Sequence, residues 1–401
     1  MDCGDEEENQ EVNSEKFMDI REHKHIVVSG DNGNALGVIR SIAEGGINPI
    51  LIYLVDKSHL PMLIKSKYLT IVHRVDSYEE AINFLISRYG QEETTPFVYT
   101  CDDSVQSLVD NRFEELKGKF YFFNAGEAGR INKLMNKHEI CMVAEKCGCR
   151  IPKQEIVDTG TLPKTLQYPV ITKTLMSIMG AWKGDVYICH NEEELKDAYS
   201  KIKSPKLLLN EYIYKKNELA VQGISIDGGR EVYIPYAISF FRATPQGYGH
   251  YMYCNPFEDE KLKTKLQAII KECHYTGCFE IEFLIDQEDR LWFLEVNFRY
   301  SFWNYSVTFG GLNYPLTWAQ AVIDNHIEKP KDGVLKPYFT ALSELGDYGA
   351  SVASKMVSFR QWLRDVHGAD MLYIYNPNDP RPAWSAWWHK VTRMVRKKLH
   401  I

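Results

Sequence analysis

Two apolar segments in the second half of the chain carry polar residues at regular spacing. The segment FLEVNFR contains Glu295, Asn297 and Arg299, and the upstream segment CFEIEFLID contains Glu282. Alternate side chains of a strand point to one face, and the polar turn DQEDR predicts a hairpin that places the segments side by side. Carboxylates and an amide oxygen suit Mg²⁺, and an arginine suits a phosphate or an oxyanion. The pattern therefore indicates a nucleoside triphosphate site.

The alternative is that these charges form the solvent-facing side of an ordinary antiparallel strand. For Glu282 alone that interpretation is favoured. The predicted hairpin favours the site, because it brings all four side chains together.

Composition limits the class of protein. The chain has 401 residues, 44 % hydrophobic and 25 % charged, which is typical of a soluble enzyme with two or three domains. A net charge of −7 argues against a general nucleic-acid binder. The nine cysteines show no zinc spacing, no secretory signal is recognised and no stretch reaches the roughly 20 apolar residues of a membrane span. We therefore expect a cytoplasmic protein with reduced thiols and no nucleic-acid partner.

The order of elements predicts several units. Residues 1–22 are acidic and polar and are expected to be a disordered tail; residues 23–126 alternate strands and helices as in a doubly wound α/β domain. Gly30, Gly33 and Gly37 do not fit the GxGxxG spacing, which disfavours a nicotinamide site. A helical stretch from Ile131 to Cys147 opens a small subdomain over 127–208, and an antiparallel sheet is predicted over 209–330.

Two lysines and an acidic pair precede the carboxylate strands. Lys173 lies inside the apolar run YPVITKTL, where it needs an anion such as a phosphate, unless it is an edge lysine that reaches solvent. The loop MSIMGAWKGD that follows suits a phosphate cover or a plain hairpin loop. Lys137, judged alone, is a surface residue. The backbone near Glu211 could pair with an adenine edge, and Glu218 could reach a ribose hydroxyl.

In this order, KHEICMVAEKCGCRIP, YPVITKTL, LLLNEYIY, FEIEFLID and FLEVNFR, the chain resembles the ATP-grasp superfamily of ATP-dependent carboxylate ligases from His25 to about Asn325. The resemblance implies an ATP-grasp fold, α/β and α+β, with an N-terminal preATP-grasp domain, a small lid subdomain and a C-terminal antiparallel-sheet subdomain. The run FLEVNFRYSFWNYSVTFGGLNYP is similar to the D-aspartate ligase group.

The resemblance also implies roles for individual residues. Lys137 and Lys173 match the lysines that contact ATP phosphates. Glu211, Tyr212 and Ile213 match the adenine hinge, and Glu218 matches the acid that binds ribose. The remaining matches are Glu282, Glu295 and Asn297 as magnesium ligands, Arg299 as the arginine that follows them, and Arg242 as a residue facing the acyl phosphate.

The implied activity is ATP-dependent joining of an acid to an amine or peptide through an acyl phosphate, with two Mg²⁺ ions or Mn²⁺ in their place. In the D-aspartate ligase group the amine belongs to a peptidoglycan precursor. A ligase for other amino acids or metabolites and a nucleotide-binding regulatory protein without turnover remain alternatives. A homodimer is compatible with the resemblance. Two features depart from it: Phe298 replaces the usual proline, and the phosphate loop lacks the usual small residues.

The C-terminal extension, residues 331–401, ends in a helix rich in tryptophan and basic residues. Residues 384–399 have the composition of an interfacial helix, which would place the protein at the inner face of the cell membrane. Alternatively, the helix packs its apolar stripe on the body of the protein. The aromatic run from Tyr300 to Tyr305 is where we expect the acceptor pocket.

Overall fold

The computed structural model describes residues 19–56, 61–176, 182–242 and 249–399. Residues 1–18 of the predicted acidic tail and residues 177–181 of the predicted phosphate loop lie outside this part. The disordered tail was predicted over residues 1–22, but its last four residues, 19–22, are ordered. Asp19–Glu22 form a short 3-10 turn, and the Ile20 side chain is fully buried. The backbone oxygen of Ile20 also contacts the His25 ring at 2.9 Å, so this segment is fixed to the first strand.

The first unit is a parallel four-stranded sheet with strand order β3-β2-β1-β4. Its first strand is buried at every position, as expected for a strand covered on both faces. Its elements are β1 (His25–Ser29), α1 (Gly33–Glu44), β2 (Ile50–Leu54), β3 (Ile71–Val75), α2 (Tyr78–Tyr89), β4 (Phe97–Thr100), α3 (Asp103–Asn111) and α4 (Phe113–Leu116).

The second unit is a small antiparallel sheet with strand order β5-β8-β6-β7. The continuous helix predicted from Ile131 to Cys147 is wrong, because Asn136 interrupts it. The Asn136 side chain accepts hydrogen bonds from the next backbone amides and starts a new helix at Lys137. The elements are α5 (Arg130–Leu134), α6 (Lys137–Lys146), β5 (Gln154–Asp158), β6 (Val170–Lys173), β7 (Ile188–Cys189), α7 (Glu192–Lys201) and β8 (Lys206–Glu211).

The third unit is a seven-stranded sheet with strand order β13-β12-β9-β10-β11-β14-β15. Its neighbours are antiparallel except for the last pair. Its elements are β9 (Lys215–Ile226), β10 (Glu231–Phe240), β11 (Tyr251–Pro256), α8 (Glu260–Glu272), β12 (Gly277–Asp286), β13 (Leu291–Asn297), α9 (Asn304–Phe309), α10 (Tyr314–Asp324), β14 (Phe339–Leu342), α11 (Glu344–Asp347), α12 (Phe359–Gly368), β15 (Met371–Leu372) and α13 (Arg381–Leu399).

The boundary predicted at residue 330 does not mark the end of this sheet. Strands β14 and β15 extend the sheet, and β14 pairs with β11 from Tyr251 to Cys254. The segment is also tied to the first unit, since Arg40 on α1 forms a fully buried ion pair with Asp379. These strands are only four and two residues long, too short for a periodic pattern to predict them.

One apolar core joins the first and third units. The Trp318 ring of α10 lies 5.8 Å from the Tyr99 ring and 4.7 Å from the Phe123 ring, measured between ring centroids. These edge-on aromatic contacts fix the parallel sheet against the helix that covers the large sheet. As a result the N-terminus of α3 faces the end of strand β13.

No helix in the described residues is long and apolar enough to cross a membrane. The eight cysteines of the described part are all free thiols.

Candidate active site

Strands β12 and β13 pair as the predicted hairpin and bring the expected metal ligands together. Glu282 lies directly opposite Glu295, and Glu280 lies opposite Asn297. The Asn297 amide donates a hydrogen bond to Glu282 Oε1 at 2.8 Å. Two carboxylates and one amide therefore share a small volume, as the alternation of polar residues predicts.

The two facing carboxylates are held in different electrostatic states. Burial and the nearby charges of Glu295 and Glu280 raise the pKa of Glu282 well above the ordinary glutamate value. Burial acts on Glu295 in the same direction, but the Lys137 ammonium outweighs it and lowers the pKa of that carboxyl. Of the two facing carboxylates, Glu295 is thus paired with a lysine and Glu282 is not.

Lys137 is the first residue of helix α6, and its position is set by the backbone. Its amide donates to the Leu175 carbonyl at 2.9 Å, just beyond strand β6. Its ammonium forms an ion pair with Glu295. Burial disfavours the charge, but Glu295 outweighs this and the pKa of Lys137 is raised. Lys137, which looked like a surface residue by itself, is therefore part of the site.

Lys173, at the end of strand β6, is the second lysine at the site. Burial and the neighbouring Lys137 ammonium lower its pKa to about 8. Within the described part of the chain, Lys173 has no hydrogen-bond or ion-pair partner. A half-buried lysine without an ion pair is expected to bind an anion, which agrees with a role in phosphate binding.

The predicted hinge residues begin with Glu211, the last residue of strand β8, and continue just beyond it. Glu211 Oε1 accepts a hydrogen bond from the Lys153 amide at 2.8 Å. The Tyr212 amide donates to the Pro169 carbonyl at 3.0 Å and is therefore already used. An adenine edge would have to pair with other backbone groups of this segment, such as those of Ile213. The adenine role of the hinge stays a prediction.

Glu218 lies beside the carboxylate strands rather than at the hinge. It pairs with Leu284 across strands β9 and β12, forms an ion pair with Lys215 and lines the same cavity as Glu282. Burial raises its pKa. Its predicted contact with ribose has no direct support in this arrangement and stays a prediction.

The two arginines have different surroundings. Arg299 Nε donates to Asp103 Oδ1 at 2.8 Å, and Asp103 outweighs burial to raise the pKa of the guanidinium. Arg242 Nη1 donates to Asp365 Oδ2 at 3.0 Å, and its guanidinium lies 5.1 Å from the Tyr251 ring centroid. Arg299 is thus in the site, whereas Arg242 contacts the C-terminal helix α12; its role toward an acyl phosphate stays a prediction.

Two site residues were missed at the sequence level, Glu280 and Asp103. Glu280 is buried and accepts hydrogen bonds from Gln222 Nε2 at 2.9 Å and Ser301 Oγ at 2.6 Å. Glu280 could have been predicted as a site residue, because it lies two residues before Glu282 on the same face of the strand. Asp103 comes from the first unit, and nothing in the local sequence connects it to Arg299.

Part of the site lines a cavity of about 480 Å³, whereas Lys137 and Glu295 line a smaller cavity of about 70 Å³ that shares Asp103, Asn297 and Arg299 with it. The polar lining of the larger cavity includes Glu280, Glu282, Asn297 and Arg299, together with Glu218 and His250. Its apolar lining comes from the large sheet and the segments that follow it, and includes Phe240, Phe302, Trp303, Leu345 and Ile374.

Part of the aromatic run expected to form an acceptor pocket therefore lies on this cavity. Ser301, Phe302 and Trp303 line it. Tyr300 is buried in the aromatic core instead, where its ring lies 5.5 Å from that of Tyr314.

The site contains oxygen donors that suit a hard divalent cation. No group of three or more His, Cys, Asp or Glu side chains in the described residues has a metal-holding arrangement. The set here is two carboxylates and an amide oxygen, which are Mg²⁺ ligands. Glu282 forms no ion pair within the described residues, and a divalent cation would supply it with a direct counter-charge. The residues fit the ion, with Glu282, Glu295 and Asn297 as the groups that would hold it.

Comparison with known proteins gives the fold. No protein-family model matches the chain. The 2-oxoglutarate carboxylase small subunit of Hydrogenobacter thermophilus is 23 % identical over 302 residues, 69 % of this chain and 61 % of that protein. The chain therefore spans less than two thirds of the length of that relative.

Several solved structures are similar. The L-amino acid ligase from Bacillus licheniformis superposes with a TM-score of 0.60 at 14 % identity, covering 79 % of each chain. The carboxyaminoimidazole ribonucleotide synthase from Aspergillus clavatus, solved with ATP, gives 0.62 at 16 % identity over 80 % of this chain and 82 % of that one. The biotin carboxylase domain dimer of the Hydrogenobacter thermophilus enzyme, solved with MgADP, ADP and bicarbonate, gives 0.61 at 18 % identity over 79 % and 73 %. The predicted ATP-grasp fold is confirmed.

Proposed function

We propose that the chain is an ATP-dependent carboxylate-amine ligase that uses Mg²⁺. The observation that carries the proposal is that Lys137 and Lys173, from helix α6 and strand β6, lie beside Glu282, Glu295 and Asn297 of strands β12 and β13, and that Glu282 and Asn297 line the larger cavity. A protein that binds a nucleotide without turnover would not need both the two lysines and the three expected metal ligands. The similar structures solved with ATP or MgADP support the same nucleotide.

In the first step an oxygen of the substrate carboxylate attacks the γ-phosphorus of ATP. The bond to the β,γ-bridging oxygen breaks, which gives an acyl phosphate and ADP. Lys137 and Lys173 would offset the phosphate charges. When bound, Mg²⁺ would neutralise charge developing on the phosphate oxygens.

In the second step the amine nitrogen attacks the acyl carbon. The tetrahedral oxyanion collapses with release of phosphate, and the nitrogen loses a proton to solvent. Arg299 lies on the same cavity and could stabilise the oxyanion, while Asp103 fixes the orientation of its guanidinium. No covalent bond to the protein is needed, which agrees with a site built from charges and amides.

The finer proposal concerns the two substrates. The sequence resemblance around Arg299 supports an acidic amino acid and the amine of a peptidoglycan precursor, as in D-aspartate ligases. The similar solved structures include an L-amino acid ligase and carboxylases, so free amino acids and bicarbonate are the competing acids. We also propose that the site binds two Mg²⁺ ions, that Mn²⁺ can replace them, and that the protein is a homodimer. The similar biotin carboxylase domain of Hydrogenobacter thermophilus was itself solved as a dimer.

The test is a coupled assay of ADP release over pairs of acids and amines with Mg²⁺. The acids are D-aspartate, neutral L-amino acids and bicarbonate, each assayed with and without an amine. An acid labelled with ¹⁸O in its carboxylate should pass one labelled oxygen to the released phosphate, because that oxygen leaves in the second step. ATP binding without acid-dependent ADP release would instead support the regulatory alternative, and label-free phosphate would exclude an acyl phosphate.

A further inference from the structure

Two neighbouring C-terminal helices expose apolar side chains along one face each. Helix α12 exposes Phe359 and Leu363, four residues apart. Helix α13 exposes Trp384, Trp388 and Val391, and the two tryptophans are 63 % and 64 % exposed. Residues three or four apart lie on the same side of a helix. We call these five side chains, with the cations around them, the basic-aromatic surface.

Other residues of helix α13 hold it to the body of the protein. The Trp387 ring lies 6.1 Å from the Trp362 ring of helix α12, between centroids. Ser385 Oγ donates to the Pro61 carbonyl at 2.8 Å, and Lys390 Nζ donates to the Leu345 carbonyl at 2.9 Å. The helix therefore packs on the body, yet its two exposed tryptophans are not part of that packing.

The charge around this surface is opposite to that of the whole chain. Residues 355–391 contain five lysines or arginines and three aspartates, although the chain has a net charge of −7. The aspartates are engaged elsewhere: Asp365 with Arg242, Asp379 with the buried Arg40, and Asp370 with Thr340. The exposed cations of this segment are Lys355, Arg360, Arg364 and Arg381, of which the three arginines lie on the same two helices as the apolar side chains.

We propose that the basic-aromatic surface binds the anionic face of a lipid bilayer. Tryptophan rings prefer the boundary between headgroups and acyl chains, where an apolar ring and a polar N–H are both accommodated. Lysine and arginine beside them attract the anionic headgroups electrostatically.

Two other classes of partner fit less well. The core of a protein interface is depleted of charged residues, whereas here Arg360 and Arg364 directly follow the exposed Phe359 and Leu363. A nucleic acid would use the cations but would leave aliphatic side chains such as Leu363 and Val391 without a role.

The surface is independent of the proposed ligase chemistry. Its helix nevertheless touches the cavity wall, because the Lys390 ammonium bonds to Leu345, and Leu345 lines the cavity. A bound bilayer would thus lie beside the C-terminal wall of the cavity.

The test is sedimentation of the full chain with phosphatidylcholine vesicles that contain or lack phosphatidylglycerol. Wild type should sediment with the anionic vesicles, and added salt should weaken the binding. The double variant Trp384→Ser/Trp388→Ser should lose binding by about tenfold or more, since two interfacial anchors are removed. The charge-reversal variant Arg360→Glu/Arg364→Glu should bind the anionic vesicles less while leaving both anchors in place.

Ile71→Ser is the matched control, because Ile71 is an exposed apolar residue of the first unit. It should bind as wild type does. The proposal is overturned if wild type does not sediment with anionic vesicles, if it binds vesicles without phosphatidylglycerol equally well, or if the tryptophan variant binds undiminished. Loss of a solution dimer in the tryptophan variant, with no vesicle binding by wild type, would assign the face to a second copy.

Discussion

The Lys137 ammonium forms an ion pair with the Glu295 carboxylate across 158 positions of sequence, and the two side chains are only 17 % and 18 % exposed. A lysine expected to bind phosphate and a carboxylate expected to bind Mg²⁺ therefore neutralise each other. When MgATP binds, this ion pair would be replaced: Glu295 would bind the cation, and Lys137 would bind the phosphates. The pair keeps both groups charged and in place before the nucleotide arrives.

Glu295→Gln should abolish ADP formation, with a loss of about 100-fold or more in the rate. Glutamine keeps the shape of the side chain but removes the charge shared by the cation and Lys137. The fold should persist, because the Glu282 and Asp103 carboxylates still lie near Lys137. Coupled ADP release gives the rate, and thermal unfolding gives the stability.

Glu272→Gln is the matched control for this variant. Glu272 also pairs with a lysine, Lys146, but both side chains are solvent-exposed and the pair is remote from the cavity. Its rate should equal that of wild type. Near-normal ADP release by Glu295→Gln would remove the ligase assignment.

Lys173→Met should lose ATP binding and yet gain stability at pH 7. The folded-state pKa of Lys173 is about 8, below the ordinary lysine value of 10.5. The folded protein therefore pays a penalty for the charged form below pH 8, and this penalty disappears as pH rises from 8 to 10.5. Removing the charge should raise the free energy of unfolding by about 1 to 2 kcal/mol at pH 7.

The pH profile separates this effect from better packing. The stability gain of Lys173→Met over wild type should shrink between pH 8 and pH 10.5, measured by urea unfolding. Lys146→Met, at an exposed lysine, should leave the stability close to that of wild type at every pH. A gain in Lys173→Met that is constant with pH would contradict the charge explanation.

The hairpin of Glu282 and Glu295 was predictable from the sequence because the cause is local. A period of two and a short polar turn fix both the pairing and the shared face. The start of helix α6 at Lys137 is also local in origin, but the Asn136 cap was not recognised within the helical pattern.

The remaining features depend on contacts between distant segments. Asp103 reaches Arg299 only because the Trp318 core fixes the first unit against the large sheet. The short strand β15 depends on pairing with β14 rather than on its own residues. Such contacts leave no periodic signal in the sequence, so the cavity and its C-terminal wall could not be predicted.

Glu282→Gln should remove stabilisation of the fold by Mg²⁺. In wild type the raised pKa of Glu282 means that the folded state holds this proton more tightly than the unfolded state. Without metal, stability should therefore fall as pH rises from the ordinary value of 4.5 through the raised pKa. Mg²⁺ competes with the proton, so its stabilising effect should grow over the same range.

Thermal unfolding with and without Mg²⁺ at several pH values measures both effects. Glu282→Gln should show a flatter pH profile and a smaller shift with Mg²⁺ than wild type. Glu288→Gln, in the exposed hairpin turn, should behave as wild type does. An unchanged Mg²⁺ shift in Glu282→Gln would exclude this carboxylate as a ligand.

Asp379→Ala should destabilise the whole protein by about 3 to 5 kcal/mol, because it leaves a buried guanidinium without its counter-charge. Arg40 Nε donates to Asp379 Oδ2 at 3.2 Å, and its other nitrogens donate to backbone carbonyls of Tyr373, Ile374 and Asp379. Asp379 also accepts from Ser66 Oγ at 2.9 Å and so joins three segments. Asp289→Ala, which breaks the exposed pair with Lys216, should cost less than about 1 kcal/mol in urea unfolding. If residues 331–401 were instead a separate extension, Asp379→Ala would leave the main unfolding transition unchanged, since no buried charge of the first unit would depend on it.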